Sequence, residues 1–452
     1  MNTIDQSIFK AYDIRGIYPE QIDADLVYKI AQAYAKFIGP KTVIVGHDMR
    51  LSGEEFSKAL IAGLTDAGVD VIDIGLVSTD TLYFAAAFLG ADGGIQVTAS
   101  HNPKEYGGLK MVREKGYPIS GDTGIYEIRD MVLAQTGKVL AEKKGTVEKK
   151  DVTKDYFTHV LKTFDLTKIK PLTVVANTNF GMAGAALPHL QAALPIQFLE
   201  ILNGTLDGNF PKGRPDPLVL QNREEIILAI KQKKPDVGVA WDADADRCFF
   251  FDELGNFVTP AYASALMAEY YLKKNPGAKI LHDTRVVRVI DAVIEQNGGQ
   301  SVINKAGHSF IKERMIKDDI VFGCETSGHY FFKDNYYLDN GLFPFLCMLE
   351  ILSSAQKPFS KLLAPLREKF FISEEINTKV SNAPAVMEAL KTKYADATID
   401  SIDGYDFNYK DWRFNIRTSN TEPLLRLNVE SSSQELLSQK TKEITDYIQT
   451  LA

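Results

Sequence analysis

One serine in the sequence stands where a phosphoryl group could be carried. The run Val97-Thr98-Ala99-Ser100-His101-Asn102-Pro103 follows the apolar segment Gly94 to Val97, which we predict to be a strand, and Pro103 closes a turn after it. A lone Ser-His-Asn-Pro sequence is more often an ordinary turn, by about ten to one. The functional interpretation therefore requires a metal site and a proton-transfer group elsewhere. His101 and Lys110 are close enough in sequence to act as a base or as a stabilising charge.

Three aspartates alternate directly after a strongly apolar segment. Asp242, Asp244 and Asp246 follow the predicted strand Val237 to Trp241. In an extended chain, carboxylates two residues apart point to one side, where they repel and raise one another's pKa. A divalent cation with oxygen ligands removes this conflict, and Mg²⁺ needs few carboxylates when a phosphate completes its coordination. An isolated D-x-D-x-D is more often an acidic turn, but aspartate is a poor strand residue and its place against an apolar strand favours the metal site.

Two further polar loops carry groups that bind phosphates and sugars. The loop Arg417-Thr418-Ser419-Asn420-Thr421-Glu422-Pro423 offers a guanidinium, hydroxyls and loop N–H groups, which together suit a phosphate. A polar hairpin explains that loop equally well when it is considered alone. The loop Glu325-Thr326-Ser327-Gly328-His329 presents donors and acceptors suited to vicinal sugar hydroxyls, although most such loops contact no ligand. His308, between Gly307 and Ser309, is by the same reasoning more often structural.

A repeated α/β pattern must position these loops. A strand from Thr42 to Gly46, a helix and a strand from Val69 to Gly75 predict a βαβ unit. Ser52 with Glu55 predicts a capping box at the start of that helix. Its apolar positions then recur at helical spacing before Gly68, namely Phe56, Leu60, Ile61 and Leu64.

The same pattern returns three times further along the chain. The later strands are predicted at Leu172 to Ala176, Val237 to Trp241 and Lys279 to Leu281. From about Lys369, a strand over Phe370 to Ile376, a helix and a strand-loop-strand around Arg417 predict a smaller α+β domain. Polar boundaries between domains are predicted near 141–151, 252–256 and 356–360.

Length and charge exclude several classes of protein. A chain of 452 residues exceeds one ordinary core, so three or four domains are expected. A formal net charge of -8 argues against a general nucleic-acid or membrane-surface binder. The three cysteines lack metal-ligand spacing, and their odd number does not indicate a disulfide framework. With no secretory segment and no long apolar run, a cytoplasmic protein is expected.

With all four loops in this order, the chain resembles the α-D-phosphohexomutase superfamily, most closely its bacterial phosphomannomutase/phosphoglucomutase branch. The resemblance covers nearly the whole chain. The matching segments are Phe9-Lys10-Ala11-Tyr12-Asp13-Ile14-Arg15-Gly16, Thr98 to Pro103, Asp242 to Arg247, Gly307 to Lys312, Glu325 to His329 and Arg417 to Pro423.

The resemblance implies a four-domain, heart-shaped α/β protein. Three similar α/β domains with mixed sheets and a smaller C-terminal α+β domain would surround a central cleft. The implied domains are 1–148 with the phosphoserine loop, 149–252 with the metal loop, 253–366 with the sugar loop and 367–452 with the phosphate loop.

The implied activity is the reversible interconversion of hexose 1-phosphates and hexose 6-phosphates through a phosphoserine and a hexose 1,6-bisphosphate. Ser100 would carry the phosphate, and Mg²⁺ would be held by Ser100, Asp242, Asp244 and Asp246. A hexose 1,6-bisphosphate would act as activator. The partners would be small sugar phosphates, with no nucleic acid and no membrane, in a monomer or a dimer.

Further residues take roles by the same resemblance. Lys110 and Arg15 would assist proton transfer and charge stabilisation, with His101 and Arg247 nearby. The residues implied to bind substrate are Tyr12, Arg285, His308, Glu325, Ser327, His329, Arg417, Ser419, Asn420 and Thr421.

The sequence departs from the family pattern at three positions. Ala243 stands where the family usually has Gly, which adds a Cβ in a tight turn and disfavours a positive φ there. Thr326 replaces a frequent Met, and Arg285 stands where some members have Lys, so both bear on substrate preference. A phosphoglucosamine mutase is the enzymatic alternative, although the sugar loop lacks the Gln usual in that branch. A catalytically silent sugar-phosphate binding protein is the alternative of another class.

Overall fold

The computed structural model describes residues 4–418 and 424–451. Its strands are β1 (Ile14–Ile17), β2 (Thr42–His47), β3 (Asp70–Leu76), β4 (Gly93–Val97), β5 (Tyr106–Arg113), β6 (Val147–Lys149), β7 (Leu172–Asn177), β8 (Ile196–Leu202), β9 (Val237–Trp241), β10 (Cys248–Phe251), β11 (Phe257–Val258), β12 (Lys279–Asp283), β13 (Gln300–Asn304), β14 (Phe322–Cys324), β15 (Tyr330–Phe332), β16 (Leu338–Asp339), β17 (Phe371–Ile372), β18 (Ile376–Lys379), β19 (Thr398–Asp400), β20 (Tyr405–Asn408), β21 (Trp412–Thr418) and β22 (Leu424–Ser431).

The helices alternate with these strands. They are α1 (Ala24–Ile38), α2 (Gly53–Asp66), α3 (Thr79–Phe88), α4 (Ile125–Leu133), α5 (Thr153–Lys162), α6 (Ala183–Ala193), α7 (Leu220–Lys233), α8 (Pro260–Lys274), α9 (Arg288–Gln296), α10 (His308–Asp318), α11 (Leu342–Ala355), α12 (Phe359–Arg367), α13 (Ala383–Lys393) and α14 (Gln434–Leu451).

The chain divides into two compact units. The first comprises Met1–Val258 and Ser327–Gln356, and the second comprises Thr259–Thr326 and Lys357–Ala452. Each unit contains α/β layers with its own sheets.

The first unit contains two mixed sheets. One has the order β1-β5-β4-β2-β3-β6, with β2 parallel to β3 and β4, and β5 antiparallel to β1 and β4. The other has the order β11-β10-β9-β7-β8, in which β7 is parallel to both β8 and β9 and β10 is antiparallel to β9. The apolar strands pack against helices through buried residues such as Val43, Ile95, Phe56 and Leu60. The predicted parallel α/β arrangement is therefore present, with antiparallel pairing at one edge of each sheet.

Two turns that carry predicted site residues follow from this topology. The turn after β4 leads into its antiparallel neighbour β5, and the turn after β9 leads into its antiparallel neighbour β10. Both are tight connections between adjacent strands and not crossovers to a helix.

The second unit contains a parallel set, β13-β12-β14, and an antiparallel sheet of the order β17-β22-β21-β20-β19 with β18 also paired to β22. The single strand predicted from Phe370 to Ile376 is wrong. Ile372 pairs with Glu430 and Ile376 with Leu427, so four steps on one side face three on the other. One extra residue in this stretch makes a bulge, which divides the predicted strand into β17 and β18.

The predicted capping box at the start of α2 is also wrong. Ser52 occupies the N-cap position with helical backbone angles, and its side chain makes no capping hydrogen bond. Glu55 instead accepts a hydrogen bond from the hydroxyl of Tyr18, 2.5 Å away. A tertiary partner has replaced the local one. The apolar spacing after it is correct, since Phe56, Leu60 and Leu64 are buried.

Within the described ranges, no helix combines the length and the apolarity that spanning a membrane requires.

Candidate active site

Ser100 lies buried in the turn between β4 and β5, as predicted. Its backbone is left-handed, with a φ of 50°, which is unusual for a residue that has a Cβ. The backbone N–H of Ser100 donates to the hydroxyl of Thr98 at 2.9 Å. Its own Oγ lies 3.1 Å from Nδ1 of His101 and 3.3 Å from Oδ2 of Asp242. The hydroxyl is therefore held beside both a possible base and a carboxylate.

The three aspartates occupy the turn between β9 and β10, not an extended strand. The prediction that alternation along a strand brings them together is therefore wrong in its cause. Ala245 takes a left-handed backbone with a φ of 63°, which bends the chain between the second and third carboxylates. One oxygen from each of Asp242, Asp244 and Asp246 lies within 4.8 Å of the others, and all three residues are buried.

This packing shifts the pKa values of the three carboxyl groups in opposite directions. Burial, followed by the charges of Asp244 and Asp246, raises the pKa of Asp242 well above its usual value. Burial also acts to raise the pKa of Asp246, but the adjacent Lys110 outweighs it and holds that pKa well below its usual range. For Asp244, burial and the charge of Asp246 are likewise outweighed by Lys110, so its pKa is lowered. The expected repulsion is concentrated on Asp242.

Lys110 is the ammonium that offsets this repulsion at Asp244 and Asp246. It projects from β5, its Nζ lies 2.7 Å from Oδ2 of Asp244, and it also donates to Oδ2 of Asp246. Burial would lower the pKa of Lys110, but the two carboxylates raise it well above its usual value. The side chain therefore remains an ammonium at neutral pH. This geometry favours a charge-stabilising role for Lys110 over that of a base.

Thr79 is a contributor that the sequence did not indicate. Its hydroxyl donates to Oδ2 of Asp244 at 2.5 Å, and its backbone N–H donates to the carbonyl of the same residue at 3.1 Å. Thr98 adds a second hydroxyl, 3.3 Å from the same carboxylate oxygen. Thr79 starts α3, so the first residue of a helix holds the turn between β9 and β10 that carries the three aspartates, which we call the metal turn. Its Ser-Thr-Asp surroundings only signal a helix start, and nothing in them points to an aspartate so distant in the chain.

Small residues allow other segments to approach the metal turn closely. A Cβ added at Gly181 would lie 2.5 Å from the carbonyl oxygen of Ala243, and one at Gly341 would lie 2.1 Å from that of Ala245. Ala243 is not among the described residues with positive φ, whereas Ala245 is. The expected conflict between the Cβ of Ala243 and a left-handed backbone therefore does not arise at that position.

Arg15 and His101 flank the serine turn. Arg15 donates from NH1 to Oδ1 of Asn102 at 2.7 Å, and it is paired with Asp13. Burial and then the charges of nearby arginines, Arg247 first, lower the pKa of His101 well below its usual value. His101 is therefore uncharged at neutral pH. Tyr12, a predicted substrate ligand, is partly buried in the bend just before β1.

Arg247 connects the metal turn to the sugar loop within the first unit. Its Nε donates to Nε2 of His329 at 3.2 Å and lies 3.6 Å from Oδ2 of Asp242. Nδ1 of His329 lies 3.0 Å from the hydroxyl of Ser327. A proton on Nδ1 of His329 satisfies both contacts, because Nε2 then accepts from Arg247. The 3.5 Å approach of that same Nε2 to Asp246 is then not a hydrogen bond.

Glu325 lies in the second unit, where donors from two other segments reach its carboxylate. The backbone N–H of Gly307 donates to its Oε1 at 2.7 Å, and NH2 of Arg285 does so at 3.3 Å. Arg285 is also paired with Asp283 at 2.7 Å. His308 begins α10 directly after Gly307, with the Nζ of Lys312 3.5 Å from its Nδ1. The structure thus brings Arg285, His308 and Glu325 together.

Arg417 is the next-to-last residue of β21 in the second unit and is buried. Its NH2 donates to Oε2 of Glu375 at 2.9 Å. Arg426 faces it across the strand pair, and NH1 of Arg426 lies 3.5 Å from the other oxygen of Glu375. Two guanidinium groups thus share one carboxylate. The other predicted phosphate ligands, Ser419, Asn420 and Thr421, lie outside the described residues.

The aspartate turn fits a hard divalent cation. Its donors are all carboxylate oxygens, the type of ligand that Mg²⁺ and Ca²⁺ prefer. Oδ1 of Asp244 is buried and makes no hydrogen bond to any part of the chain that the structure describes. Such an oxygen is costly unless a cation or a donor reaches it. The buried triad can therefore bind a metal.

Comparison with protein families gives four matches along the chain. The matching models describe phosphoglucomutase/phosphomannomutase alpha/beta/alpha domain I at residues 6–137, domain II at 154–255, domain III at 259–370 and the C-terminal domain at 375–446. The predicted domain boundaries are not tested by these matches and stay a proposal.

Individual proteins are similar over almost their full length. A phosphomannomutase of Escherichia coli is 43% identical and the match covers 96% of this chain and 98% of that protein. A phosphomannomutase of Vibrio cholerae is also 43% identical, with 98% of each covered. Among solved structures, a phosphoglucomutase/phosphomannomutase family protein of Burkholderia thailandensis is 34% identical, with a TM-score of 0.89 over 99% of this chain and 98% of that chain.

Proposed function

Since the chain belongs to the phosphoglucomutase/phosphomannomutase family and is therefore a phosphohexomutase, we propose that it interconverts mannose or glucose 1-phosphate and 6-phosphate through a phosphorylated Ser100. The enzyme is an isomerase that acts by intramolecular phosphoryl transfer. The observation that carries the proposal is the position of Ser100 Oγ, 3.3 Å from a carboxylate of the buried aspartate triad.

Ser100 would donate and then recover one phosphoryl group per turnover. In the first transfer, the bond from Oγ to phosphorus breaks while a bond forms from the free sugar hydroxyl to phosphorus, which gives the hexose 1,6-bisphosphate. The proton lost by the sugar hydroxyl balances the one that Oγ takes up. For the second transfer the bisphosphate turns round, Oγ attacks the other phosphorus, and the bond from that phosphorus to the sugar oxygen breaks. The proton of Oγ can pass to the uncharged His101, 3.1 Å away, and the released sugar oxygen takes up one proton, which gives the hexose monophosphate.

Charge stabilisation would come from groups already collected around Ser100. Phosphoryl transfer depends mainly on positioning and on neutralising the equatorial oxygens. Asp242, Asp244, Asp246 and the phosphate on Ser100 would hold Mg²⁺, which supplies Lewis-acid stabilisation of the phosphoryl oxygens when bound. Lys110 keeps its positive charge at this site, and Arg15 would add a second one.

Substrate recognition is assigned residue by residue. We assign the sugar hydroxyls to Glu325, Ser327 and His329, with Tyr12 and His308 as further contacts. Arg285 orients Glu325, which it contacts at 3.3 Å. Arg417, with Ser419, Asn420 and Thr421, would bind the phosphate that is not reacting. A phosphate has to compete with Glu375 for Arg417, so substrate binding would exchange one anion for another.

The proposal includes two conditions of use. A hexose 1,6-bisphosphate would phosphorylate Ser100 and so activate the dephosphorylated enzyme. The expected location is the cytoplasm, where such sugar phosphates are metabolised.

The test is turnover of mannose 1-phosphate, glucose 1-phosphate and glucosamine 1-phosphate with Mg²⁺ and a trace of glucose 1,6-bisphosphate. We expect 6-phosphates from the first two, and Ser100→Ala should lower kcat at least about 1,000-fold because the phosphate carrier is lost. Ser57→Ala, a buried serine of α2 in the same unit, is the matched control and should retain activity.

Each other outcome decides against part of the proposal. Preference for glucosamine 1-phosphate would identify a phosphoglucosamine mutase. Binding of hexose phosphates without turnover, and without phosphate on Ser100, would identify a silent binding protein. Wild-type turnover by Ser100→Ala would refute the phosphoserine mechanism.

A further inference from the structure

Arg50 binds the backbone of the turn that carries Ser100, although no sequence motif indicated this contact. It lies between β2 and α2 and is buried. NH2 of Arg50 donates to the carbonyls of Ser100 at 2.5 Å and Asn102 at 2.6 Å. NH1 donates to the carbonyls of Pro103 at 2.9 Å and Tyr106 at 3.1 Å. One guanidinium therefore satisfies four carbonyls of the loop that carries the nucleophile.

This arrangement depends on the shape of the arginine side chain. The four contacts use all the N–H groups of its two terminal nitrogens, which a planar fork presents in fixed directions. A lysine ammonium at the same place has three donors on one nitrogen and cannot reach two pairs of carbonyls. The carbonyls of Ser100, Asn102 and Pro103 lie in the turn between β4 and β5, so pairing of these two strands does not satisfy them. The fourth carbonyl belongs to Tyr106, the first residue of β5.

Arg50 is itself fixed on two further sides. Oδ1 of Asp48 accepts from its backbone N–H at 2.9 Å, and Oδ2 lies 3.6 Å from its Nε. The ring of Phe210 lies against the guanidinium, 5.0 Å from its centre. Burying a cation is costly unless it is paired and hydrogen-bonded, and here every terminal N–H is engaged. The guanidinium is therefore held in one position by its contacts, unlike a charge on the protein surface.

The left-handed backbone of Ser100 explains why the contacts of the Arg50 guanidinium matter. A non-glycine residue at a φ of 50° is strained by about 1–3 kcal/mol and keeps that conformation only when its surroundings impose it. The carbonyl of Ser100 is one of the four that Arg50 binds, which fixes the peptide that follows the strained residue. Oγ then points to Asp242 and His101.

We propose that Arg50 is a positioning residue for phosphoryl transfer, which holds the Ser100 turn in the conformation that aims its Oγ at the aspartate triad. It touches neither the substrate nor the reacting atoms. The inference rests on the proposed function for its kinetic consequence, whereas its structural content concerns the turn alone.

The experiment compares Arg50→Lys with Arg223→Lys, a matched control. Arg223 is also buried and also holds a loop, since it donates to the carbonyls of Pro217 and Leu218 at 2.8 and 2.7 Å, but that loop carries none of the proposed catalytic groups. For Arg50→Lys we expect kcat for glucose 1-phosphate to fall about 10- to 100-fold with KM within about two-fold, because the error is one of aim. Arg223→Lys should leave both constants within about two-fold of wild type.

Hydrogen–deuterium exchange tests the turn without using activity. In Arg50→Lys the peptide 98–107 should exchange at least about five-fold faster than in wild type, and it should not do so in Arg223→Lys. Arg50→Ala with added guanidinium gives a further readout, since guanidinium and not ammonium should restore kcat. If that variant does not fold, the Lys variant still decides.

Three results would overturn the inference. These are an unchanged kcat in a folded Arg50→Lys, an increase in KM alone, or exchange at 98–107 equal to that of wild type. If wild-type enzyme converts no hexose phosphate, the proposed function fails separately, and the exchange measurement still decides what Arg50 does.

Discussion

Replacing Lys110 by Met distinguishes the effect of the Lys110 ammonium on the aspartate triad from the effect of Mg²⁺. Nζ of Lys110 is 2.7 Å from Oδ2 of Asp244 and also contacts Asp246, and all three groups are buried. Removing one partner of a buried ion pair usually costs about 3–5 kcal/mol, because the other charge stays buried and unpaired. We therefore expect Lys110→Met to lower the free energy of unfolding of the first unit by that amount without divalent cations.

Mg²⁺ should recover more of this loss in the variant than it adds to the wild type. In the wild type the ammonium already occupies Oδ2 of Asp244, so a metal ion competes with it or is repelled by it. Without the ammonium, tenfold tighter Mg²⁺ binding would add about 1.4 kcal/mol at saturating metal. The variant should thus be stabilised by Mg²⁺ by at least about 1 kcal/mol more than the wild type.

The measurement is urea unfolding with and without Mg²⁺, followed by tryptophan fluorescence. The chain has two tryptophans, and Trp241 directly precedes Asp242 and is fully buried. A Trp412→Phe background therefore makes the signal report the metal turn. Lys29→Met is the control, since Lys29 forms an exposed pair with Asp25 and should cost under about 0.5 kcal/mol. A Mg²⁺ effect that is equal or smaller in Lys110→Met would refute the competition between the two cations.

Two other predictions concern a tight approach and a titrating pair. Gly341→Ala should lower the free energy of unfolding by about 1–3 kcal/mol, because the new Cβ would lie 2.1 Å from the carbonyl oxygen of Ala245. The same variant should bind Mg²⁺ more weakly in calorimetry, and an unchanged metal affinity would contradict this prediction. In the second unit, hydrogen bonding to Asp291 raises the pKa of His282 above 6.5 in spite of burial, and the pKa of Asp291 is lowered below 3.8. Asp291→Asn should therefore cost about 1 kcal/mol of unfolding free energy near pH 5, a low figure because 37% of the Asp291 side chain is exposed, and this loss should shrink as the pH rises through the raised pKa of His282; a loss in urea unfolding that does not change between acidic and alkaline pH would contradict it.

The regular elements were largely predictable from the sequence. The strand from Val237 to Trp241 was placed at both ends, and β2 and β12 extend only one or two residues beyond the predicted segments. These strands are continuous apolar runs bounded by polar residues, so burial alone sets their limits. The capping box at Ser52 and the strand from Phe370 failed because each depended on a partner remote in sequence, Tyr18 in one case and β22 in the other.

The candidate site divides in the same way. Ser100 and the three aspartates carry chemistry that their residue types and spacing announce. Arg50 and Thr79 act through backbone carbonyls and through a remote carboxylate, and no local pattern encodes such contacts. The bend at Ala245 was missed for a different reason, since alanine is a residue from which a left-handed backbone is not expected.

The left-handed backbone at Ser100 sets stability against activity at a single position. Glycine would adopt that conformation without strain, so the residue that suits the turn best is one that cannot carry a phosphate. Random substitution that is screened for thermal stability alone would accept glycine there and discard the enzyme. At residue 100, selection for stability would therefore favour glycine, whereas selection for activity would keep serine. A conflict of this kind between the most stable residue and the residue present can mark a nucleophile.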